Sequence, residues 1–167
     1  MKPLSLTLKN FGPYINETID FTKFEDSSLF LISGKTGSGK TTIFDGMSYA
    51  LFGESSGKLR LGKEMRSTFA DPSEATEVTL LFKHNEYLYE LNRLPEQELF
   101  KKRGTGVRKQ SAKISLIVKD AQGKELRAYS KRREVDELIQ ELLHLNANQF
   151  AQIVLLPQGE FRTFLIA

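Results

Sequence analysis

A glycine-rich segment, Gly34–Thr41, constrains the fold of this chain more than any other feature. It fits the pattern G-x-x-x-x-G-K-[ST] at every fixed position, in the order Gly34-Lys35-Thr36-Gly37-Ser38-Gly39-Lys40-Thr41. A short apolar run, Ser28–Ser33, precedes it and is typical of a buried central strand. A helix is predicted from Gly39 to Phe52, where Gly53 stops it. Strand, loop and helix in this order predict a phosphate-binding loop rather than an incidental turn.

The chemistry of this segment suits the phosphates of a nucleotide. Gly34, Gly37 and Gly39 allow backbone N–H groups to turn inward with no Cβ in the way. The N-terminus of the following helix adds free N–H groups and a partial positive charge. Lys40 is expected to reach the β- and γ-phosphates in a catalytic role, and the Thr41 hydroxyl to ligate Mg²⁺. The predicted ATP–Mg²⁺ site comprises Gly34, Lys35, Thr36, Gly37, Ser38, Gly39, Lys40, Thr41 and Thr42.

Composition restricts the class of protein. The 167 residues are 40% hydrophobic and 27% charged, as expected of one soluble globular domain. The absence of cysteine excludes disulfides and thiolate metal sites, and is compatible with a cytoplasmic location. The two histidines, His84 and His144, lack ligand-like spacing and are interpreted as surface or core residues. No apolar stretch reaches about 18 residues, so we expect no membrane span.

Hydrophobic periodicity predicts strands in the first two-thirds of the chain. Leu4, Leu6 and Leu8 alternate with polar residues and predict an N-terminal strand. A second strand follows the turn at Gly12 and carries Ile15, Ile19 and Phe21. Two hairpins are predicted further along, Glu77–Phe82 with Tyr87–Leu94 and Ser111–Lys119 with Lys124–Tyr129.

The C-terminal third is predicted to return to helix and then to strand. Ser130 is the expected N-cap of a helix that ends near His144. The apolar positions of this helix follow a helical period, at Val135, Leu138, Ile139 and Leu142. Gln149–Leu156 contains a strand-like apolar run, and Gly159 begins a second helix.

The turn Asp120-Ala121-Gln122-Gly123 could be mistaken for the D-x-x-G element of a GTPase or for a Walker B aspartate. We interpret it as a hairpin turn, because Lys119 intervenes after the apolar run and the flanks alternate. The sequence has no guanine-reading N-K-x-D motif and no other convincing hydrophobic run that ends in Asp-Glu. We therefore expect the residues that complete metal binding and activate water to lie outside this chain.

Three segments carry a resemblance to a known family: Leu8–Tyr14, Gly34–Met47 and Gln149–Phe161. They resemble the SbcC family, the ATPase subunits of bacterial SbcCD DNA exonucleases, within the ABC-type and SMC-like ATPases. The likeness covers the whole chain and is least specific over residues 54–110. It implies an α/β fold, a P-loop NTPase of the ABC-ATPase type, whose N-terminal lobe has a mixed sheet and antiparallel hairpins.

The same resemblance implies a split active site. Residues 1–167 would form the N-terminal lobe of an ATPase head, with a coiled coil beginning near the C-terminal end. In this family a C-terminal lobe carries the signature motif, Walker B and the D-loop. Gln158 would bind Mg²⁺ and the attacking water in a catalytic role. Some relatives have a nucleotide-contacting basic residue where Gly12 stands, so the adenine and ribose contacts stay open, with Asn10 and Phe11 as candidates.

The stretch Leu99–Lys119 is rich in basic residues and has no acidic residue. With Gly104 and Gly106 inside it, we predict a flexible basic loop between strands. Two interpretations remain open, a solvated surface loop or contact with DNA phosphates without sequence specificity. The resemblance favours DNA. The candidate residues are Lys101, Lys102, Arg103, Arg108 and Lys109, with Arg60, Lys63 and Arg66 as possible additions to the same surface.

Three functional hypotheses follow. In the first, the chain is the ATP-binding lobe of an ATPase that drives conformational change in a double-strand DNA exonuclease and repair complex. Its partners would be the C-terminal lobe, a second head in an ATP-dependent dimer, an SbcD-type nuclease subunit and double-stranded DNA. The alternatives are a small-molecule kinase and a DNA-binding structural domain that holds nucleotide without using it. The first predicts near-background hydrolysis by this lobe alone.

Overall fold

The chain folds around a six-stranded sheet. The structure is a computed structural model and describes residues 1–23, 37–53, 71–146 and 149–150. The predicted strand Ser28–Ser33 and the predicted helix at Gly159 lie outside these residues. In chain order the elements are β1 (Lys2–Phe11), β2 (Tyr14–Asp20), α1 (Gly37–Phe52), β3 (Glu77–His84), β4 (Tyr87–Leu94), β5 (Gln97–Phe100), β6 (Val107–Gln110), β7 (Lys113–Lys119), β8 (Glu125–Tyr129) and α2 (Arg132–Leu143).

The main sheet has the order β2-β1-β3-β4-β7-β8, and every ladder in its described strands is antiparallel. Its register aligns one row of side chains across all of these strands. The row consists of Ile19, Leu6, Leu80, Leu91, Leu116 and Tyr129. Because residues opposite one another share a face, this row forms a continuous apolar surface on which a helix can pack.

Helix α1 covers this face, and Gly46 is the point of closest approach. A Cβ at Gly46 would lie 2.7 Å from Leu8 Cδ2, so only glycine allows the present separation from β1. The predicted inner positions of the helix, which include Ile43 and Met47, are buried as expected. The helix is buried further than predicted, because Phe44, Asp45, Ser48 and Tyr49 on its other sides are also shielded from solvent.

Helix α2 packs through Val135 and Ile139, as its periodicity predicts. His144 caps its C-terminus in the left-handed conformation and donates its N–H to the Gln140 carbonyl at 2.8 Å. The predicted N-cap, Ser130, is wrong. Lys131 is the N-cap, because its carbonyl accepts the first helical hydrogen bond, from the Val135 N–H at 3.1 Å. The Lys131 side chain makes no capping hydrogen bond.

Both predicted hairpins of the main sheet are confirmed. β3 extends to His84 and turns through Asn85, whose φ is 56°. β7 begins at Lys113 rather than Ser111. Gln149 and Phe150 are helical where a strand-like run was predicted to begin, and the remainder of that run lies outside the described residues. Among the helices that the structure describes, none is both apolar and long enough to cross a membrane.

A candidate nucleotide-binding helix and a basic hairpin

Helix α1 begins at Gly37, two residues before the predicted start. The backbone of Gly37–Thr42 therefore forms the first turns of the helix, where free N–H groups and the positive end of the dipole favour an anion. The first turn contains no acidic residue that would oppose a phosphate. This part of the predicted site is therefore compatible with a bound anion. Gly34, Lys35, Thr36 and Gln158 lie outside the described residues, as do Arg60, Lys63 and Arg66.

The C-terminal end of α1 is fixed by a buried arginine that the sequence analysis did not identify. Arg93 of β4 is only 4% exposed, and its Nε donates to the Ala50 carbonyl at 2.7 Å. Its Nη2 donates to the Leu51 carbonyl and to Asp136 Oδ1, both at 3.3 Å. Carbonyls at a helix C-terminus have no partner within the helix, so Arg93 satisfies two of them and complements the negative end of the dipole.

Gly53 makes this contact possible. Its φ of 79° ends the helix in the left-handed region, and its N–H donates to the Tyr49 carbonyl at 2.8 Å. A Cβ there would meet Arg93 Nη1 at 3.0 Å. The alternation of β4 could have indicated that Arg93 is buried, since Tyr89, Leu91 and Arg93 point to the same face. A buried charge needs partners, but the alternation does not identify them.

The electrostatics at this end of α1 follow from burial. Burial lowers the pKa of Arg93, and the neighbouring Asp136 raises it again. Burial also raises the pKa of Tyr49 to about 12, which the positive charges of Arg93 and Arg132 partly oppose. Tyr49 is therefore neutral at physiological pH. Asp136 accepts a second contact from Arg132 Nε at 3.5 Å, so one carboxylate on α2 serves two arginines.

A cavity of about 420 Å³ adjoins Arg93, with Tyr49, Gly53, Pro95, Lys113 and Arg132 in its lining. It lies at the C-terminal end of α1, whose 16 residues span ~24 Å at 1.5 Å per residue. The phosphate-binding motif is at the other end of the helix. This cavity is therefore not the predicted nucleotide site.

The predicted flexible loop in Leu99–Lys119 is wrong in part. β5 and β6 form a separate two-stranded hairpin, in which Leu99 pairs with Arg108 and Phe100 with Val107. The tip spans residues 101–106, closed by the Lys101 N–H donating to the Gly106 carbonyl at 3.0 Å. All five candidate DNA residues lie on this hairpin and are exposed, namely Lys101, Lys102, Arg103, Arg108 and Lys109. The hairpin thus brings them together, and Lys113 begins the next strand.

The base of the hairpin is held by a buried amide. Gln97 is 5% exposed, and its Oε1 accepts from the Thr76 N–H at 2.8 Å. Its Nε2 donates to the Thr76 carbonyl at 3.1 Å and the Pro95 carbonyl at 3.2 Å. The Thr76 hydroxyl donates to the Asn10 carbonyl at 2.8 Å, which links the hairpin to the end of β1. Such a pairing of side chain with backbone is not visible in a local sequence pattern.

The two candidates for adenine and ribose contacts have buried side chains. Asn10 is 3% exposed, and its Nδ2 donates to the Ala75 carbonyl at 2.8 Å. Phe11 is fully buried, with its ring centroid 6.3 Å from that of Tyr49. Both side chains contribute to packing and hairpin anchoring, so the structure gives no support to a nucleotide contact by either.

Two of the hairpin cations have acidic neighbours. Lys102 Nζ lies 3.3 Å from Glu74 Oε1, and Lys109 Nζ lies 2.9 Å from Glu96 Oε1. The hydrogen bond to Glu96 raises the pKa of Lys109. All four side chains are largely exposed, and such pairs contribute little to stability in water. They can therefore exchange their carboxylate for a phosphate at small cost.

The interpretation of Asp120 as a turn residue is confirmed. Its Oδ1 accepts from the N–H groups of Gln122 and Lys124, each at 2.9 Å. Gly123 closes the turn with a φ of 86°. Across residues 1–23, 37–53, 71–146 and 149–150, no group of three or more His, Cys, Asp or Glu residues is placed to hold a metal ion.

One family model and several curated proteins are similar to this chain. A family model described as AAA domain matches residues 5–167. The chain is similar to the C subunit of nuclease SbcCD from Lactococcus lactis subsp. lactis (strain IL1403), at 48% identity over 99% of this chain and 16% of that protein. The proteins of the same name from Vibrio cholerae serotype O1 and Staphylococcus aureus (strain JH9) are 45% and 47% identical over 100% of this chain.

These comparisons confirm the resemblance that the terminal motifs indicate. They also bear on size, because the chain spans about 16% of the length of the curated relatives that it matches.

Proposed function

The chain belongs to the AAA-domain family, and from this premise we propose that it is the ATP-binding lobe of an ATPase that drives conformational change in a double-strand DNA exonuclease and repair complex. The observation that carries the proposal is the position of the phosphate-loop motif at the first turn of α1. The similarity to proteins named as the C subunit of nuclease SbcCD supports the choice of complex. It does not favour the small-molecule kinase alternative.

In this proposal the backbone of Gly34–Thr42 holds the phosphates of ATP. Lys40 contacts the β- and γ-phosphates, and Thr41 and Gln158 hold Mg²⁺. The metal, when bound, neutralises charge on the phosphate oxygens. The protein contributes a helix whose far end Arg93 holds in place, so that the dipole and the N–H groups of the first turn are already oriented when nucleotide arrives.

Hydrolysis is proposed to require partners. The C-terminal lobe of the same protein and a second head would complete the site, which agrees with the small share of the relatives' length that this chain covers. A coiled coil after the lobe, an SbcD-type nuclease subunit, duplex DNA and a cytoplasmic location belong to the same proposal. The basic hairpin is the proposed contact with duplex DNA, because phosphates require only positive charge and reach.

The nucleotide site is tested by Lys40→Ala, with the exposed Lys83→Ala as a matched control. Loss of a charged hydrogen-bonding partner of about 1.5–3 kcal/mol should weaken ATP–Mg²⁺ binding roughly 10- to 150-fold, measured by calorimetry. The control should bind as wild type. Unchanged affinity in Lys40→Ala would refute the site.

The split site is tested by steady-state ATP turnover of this lobe alone and after addition of the C-terminal lobe. We expect near-background turnover in the first case and a rise in the second. Robust turnover by the isolated lobe as a monomer would contradict the proposal.

A further inference from the structure

We propose that the end of the β5–β6 hairpin binds DNA ends, with Phe100 stacking on a terminal or unpaired base while the adjacent cations hold the phosphates. This inference rests on the proposed function of the hairpin in DNA binding and adds a ligand group, the face of a base that has lost a stacking neighbour. It is carried by the placement of an apolar pair among the basic residues.

Phe100 and Val107 form a directly opposed pair on the solvent-facing side of the hairpin. They are cross-strand partners, and their exposed fractions are 56% and 47%. The preceding residue, Leu99, is fully buried, so β5 buries one face and exposes the other. Single exposed apolar residues are common, but this pair projects together at the point where the strands end.

Cations flank the pair along the chain and on its own face. Lys101 follows Phe100 directly at the start of the tip, and Lys109, two residues after Val107, shares the face of the pair. Among the described residues, Lys101 and Arg103 have no carboxylate within ion-pairing distance, and Lys109 is paired with the exposed Glu96. An aromatic ring with such cations around it suits single-stranded or frayed nucleic acid, because the cations follow the backbone and every base offers a face for stacking.

The hairpin is built to hold Phe100 in place. The Phe100 N–H donates to the Pro72 carbonyl at 2.9 Å, and Gln97 ties the same strand to Thr76. Beyond Phe100 the tip turns through Gly104 and Gly106, with φ of 83° and 104°, and a Cβ at either would meet nothing within 4 Å. An exposed ring on an anchored backbone, beside an open and uncrowded tip, fits a stacking surface next to an adaptable phosphate contact.

The inference predicts a preference that charge alone does not give. Phosphate contacts act equally on any duplex, whereas stacking on a base face requires an end or an unpaired base. The full natural protein should therefore bind linear duplex and single strands more tightly than covalently closed circular duplex, and part of that preference should depend on Phe100.

The test compares Phe100→Ala with Phe100→Tyr, which keeps the ring, in the full natural protein. Affinities are measured for closed circular duplex, blunt linear duplex and a single-stranded oligonucleotide. Phe100→Ala should lose roughly 5- to 150-fold on ends and single strands, the range for removal of one stacking aromatic, and nothing on the closed circle. Phe100→Tyr should retain wild-type affinity. A 2-aminopurine at the terminal position should change fluorescence on binding to wild type and not to Phe100→Ala.

A charge-reversed variant, Lys101→Glu with Arg103→Glu, separates this inference from the proposed function. If the charge variant loses affinity on every DNA while Phe100→Ala matches wild type, the stacking inference fails and DNA binding by the hairpin stands. If the charge variant also matches wild type, DNA binding by the hairpin fails. An equal loss for Phe100→Ala on ends and closed circles would indicate groove contact with intact duplex and would overturn the stacking inference.

Discussion

Helix α1 and the β5–β6 hairpin, the two proposed ligand-binding elements, differ in how firmly the rest of the fold holds them. The helix is buried from Ile43 to Leu51, and its C-terminus is tied to β4 and α2 through Arg93. The hairpin is anchored at its base through Gln97 and at the end of β5 through the Phe100 N–H, and the side chains of its tip, residues 101–106, are exposed. Preorganised backbone donors would favour binding of a triphosphate, whose oxygens occupy defined positions in a site. A DNA backbone varies locally, so mobile positive charges would favour its binding. The difference predicts that α1 is sensitive to substitution and that the hairpin tip is tolerant.

Replacement of Arg93 by methionine should have the largest effect on stability. It removes the donors to the Ala50 and Leu51 carbonyls and the ion pair with Asp136, and leaves the two carbonyls without a side-chain donor among the described residues. We expect the free energy of unfolding to fall by about 3 kcal/mol, measured by urea denaturation. The matched control is Arg133→Met, which removes an exposed pair with Glu137 and should cost about 0.3–0.5 kcal/mol. Equal losses for the two variants would show that the buried contacts of Arg93 stabilise the fold no more than an exposed ion pair does.

Alkaline pH should destabilise the same end of the helix through Tyr49. Its pKa is about 12 in the folded protein, because of burial, against 10 in the unfolded chain. Between these values the unfolded chain loses the proton first, so stability is fully present below pH 10 and falls as pH rises toward 12. The expected loss is about 2 kcal/mol at pH 12. Tyr49→Phe has no phenol to ionise and should lose less over this interval; parallel stability curves for the two proteins would disprove the assignment.

Gly46→Ala should disturb the packing of α1 on β1. The new Cβ would lie 2.7 Å from Leu8 Cδ2 in a fully buried contact, so the helix or the leucine must shift. Overpacking costs about 1–3 kcal/mol, and the higher helix propensity of alanine returns up to about 1 kcal/mol, so we expect a net loss of about 1–2 kcal/mol in chemical denaturation. A double-mutant cycle with Leu8→Val should show favourable coupling, since the shorter side chain makes room. Strict additivity would mean that the strain lies elsewhere.

Sequence patterns predicted the parts of this fold that depend on local rules. Period-two alternation identified β1, β3, β4 and β7, and a glycine with a short polar turn identified the Asp120 hairpin. The phosphate-loop motif located the start of α1 to within two residues. In each case the residues that define the element are neighbours in sequence, so their pattern is sufficient.

What the sequence could not predict depends on partners far apart in the chain. Arg93 binds carbonyls more than 40 residues away, and Gln97 pairs with Thr76 across 21 residues. β5 and β6 have four residues each, too few for alternation to stand out among basic residues and glycines. The flexible-loop prediction was wrong in part for this reason, and the burial of Asn10 and Phe11 was not predicted because their packing partners, Ala75 and Tyr49, are distant in sequence.

The smallest effect on stability is expected at the hairpin tip. Reversal of charge at Lys101, Lys102 and Arg103 removes one exposed ion pair, with Glu74, and no buried contact, so the free energy of unfolding should stay within about 0.5 kcal/mol of wild type. Duplex DNA affinity should nevertheless fall, and the slope of its logarithm against log salt concentration should decrease by about 0.9 for each phosphate that the tip no longer binds. A stability loss as large as that of Gly46→Ala would show that the tip is part of the core architecture, and the contrast with α1 would no longer hold. A shallower salt slope at unchanged stability would locate the tip's contribution in phosphate binding alone.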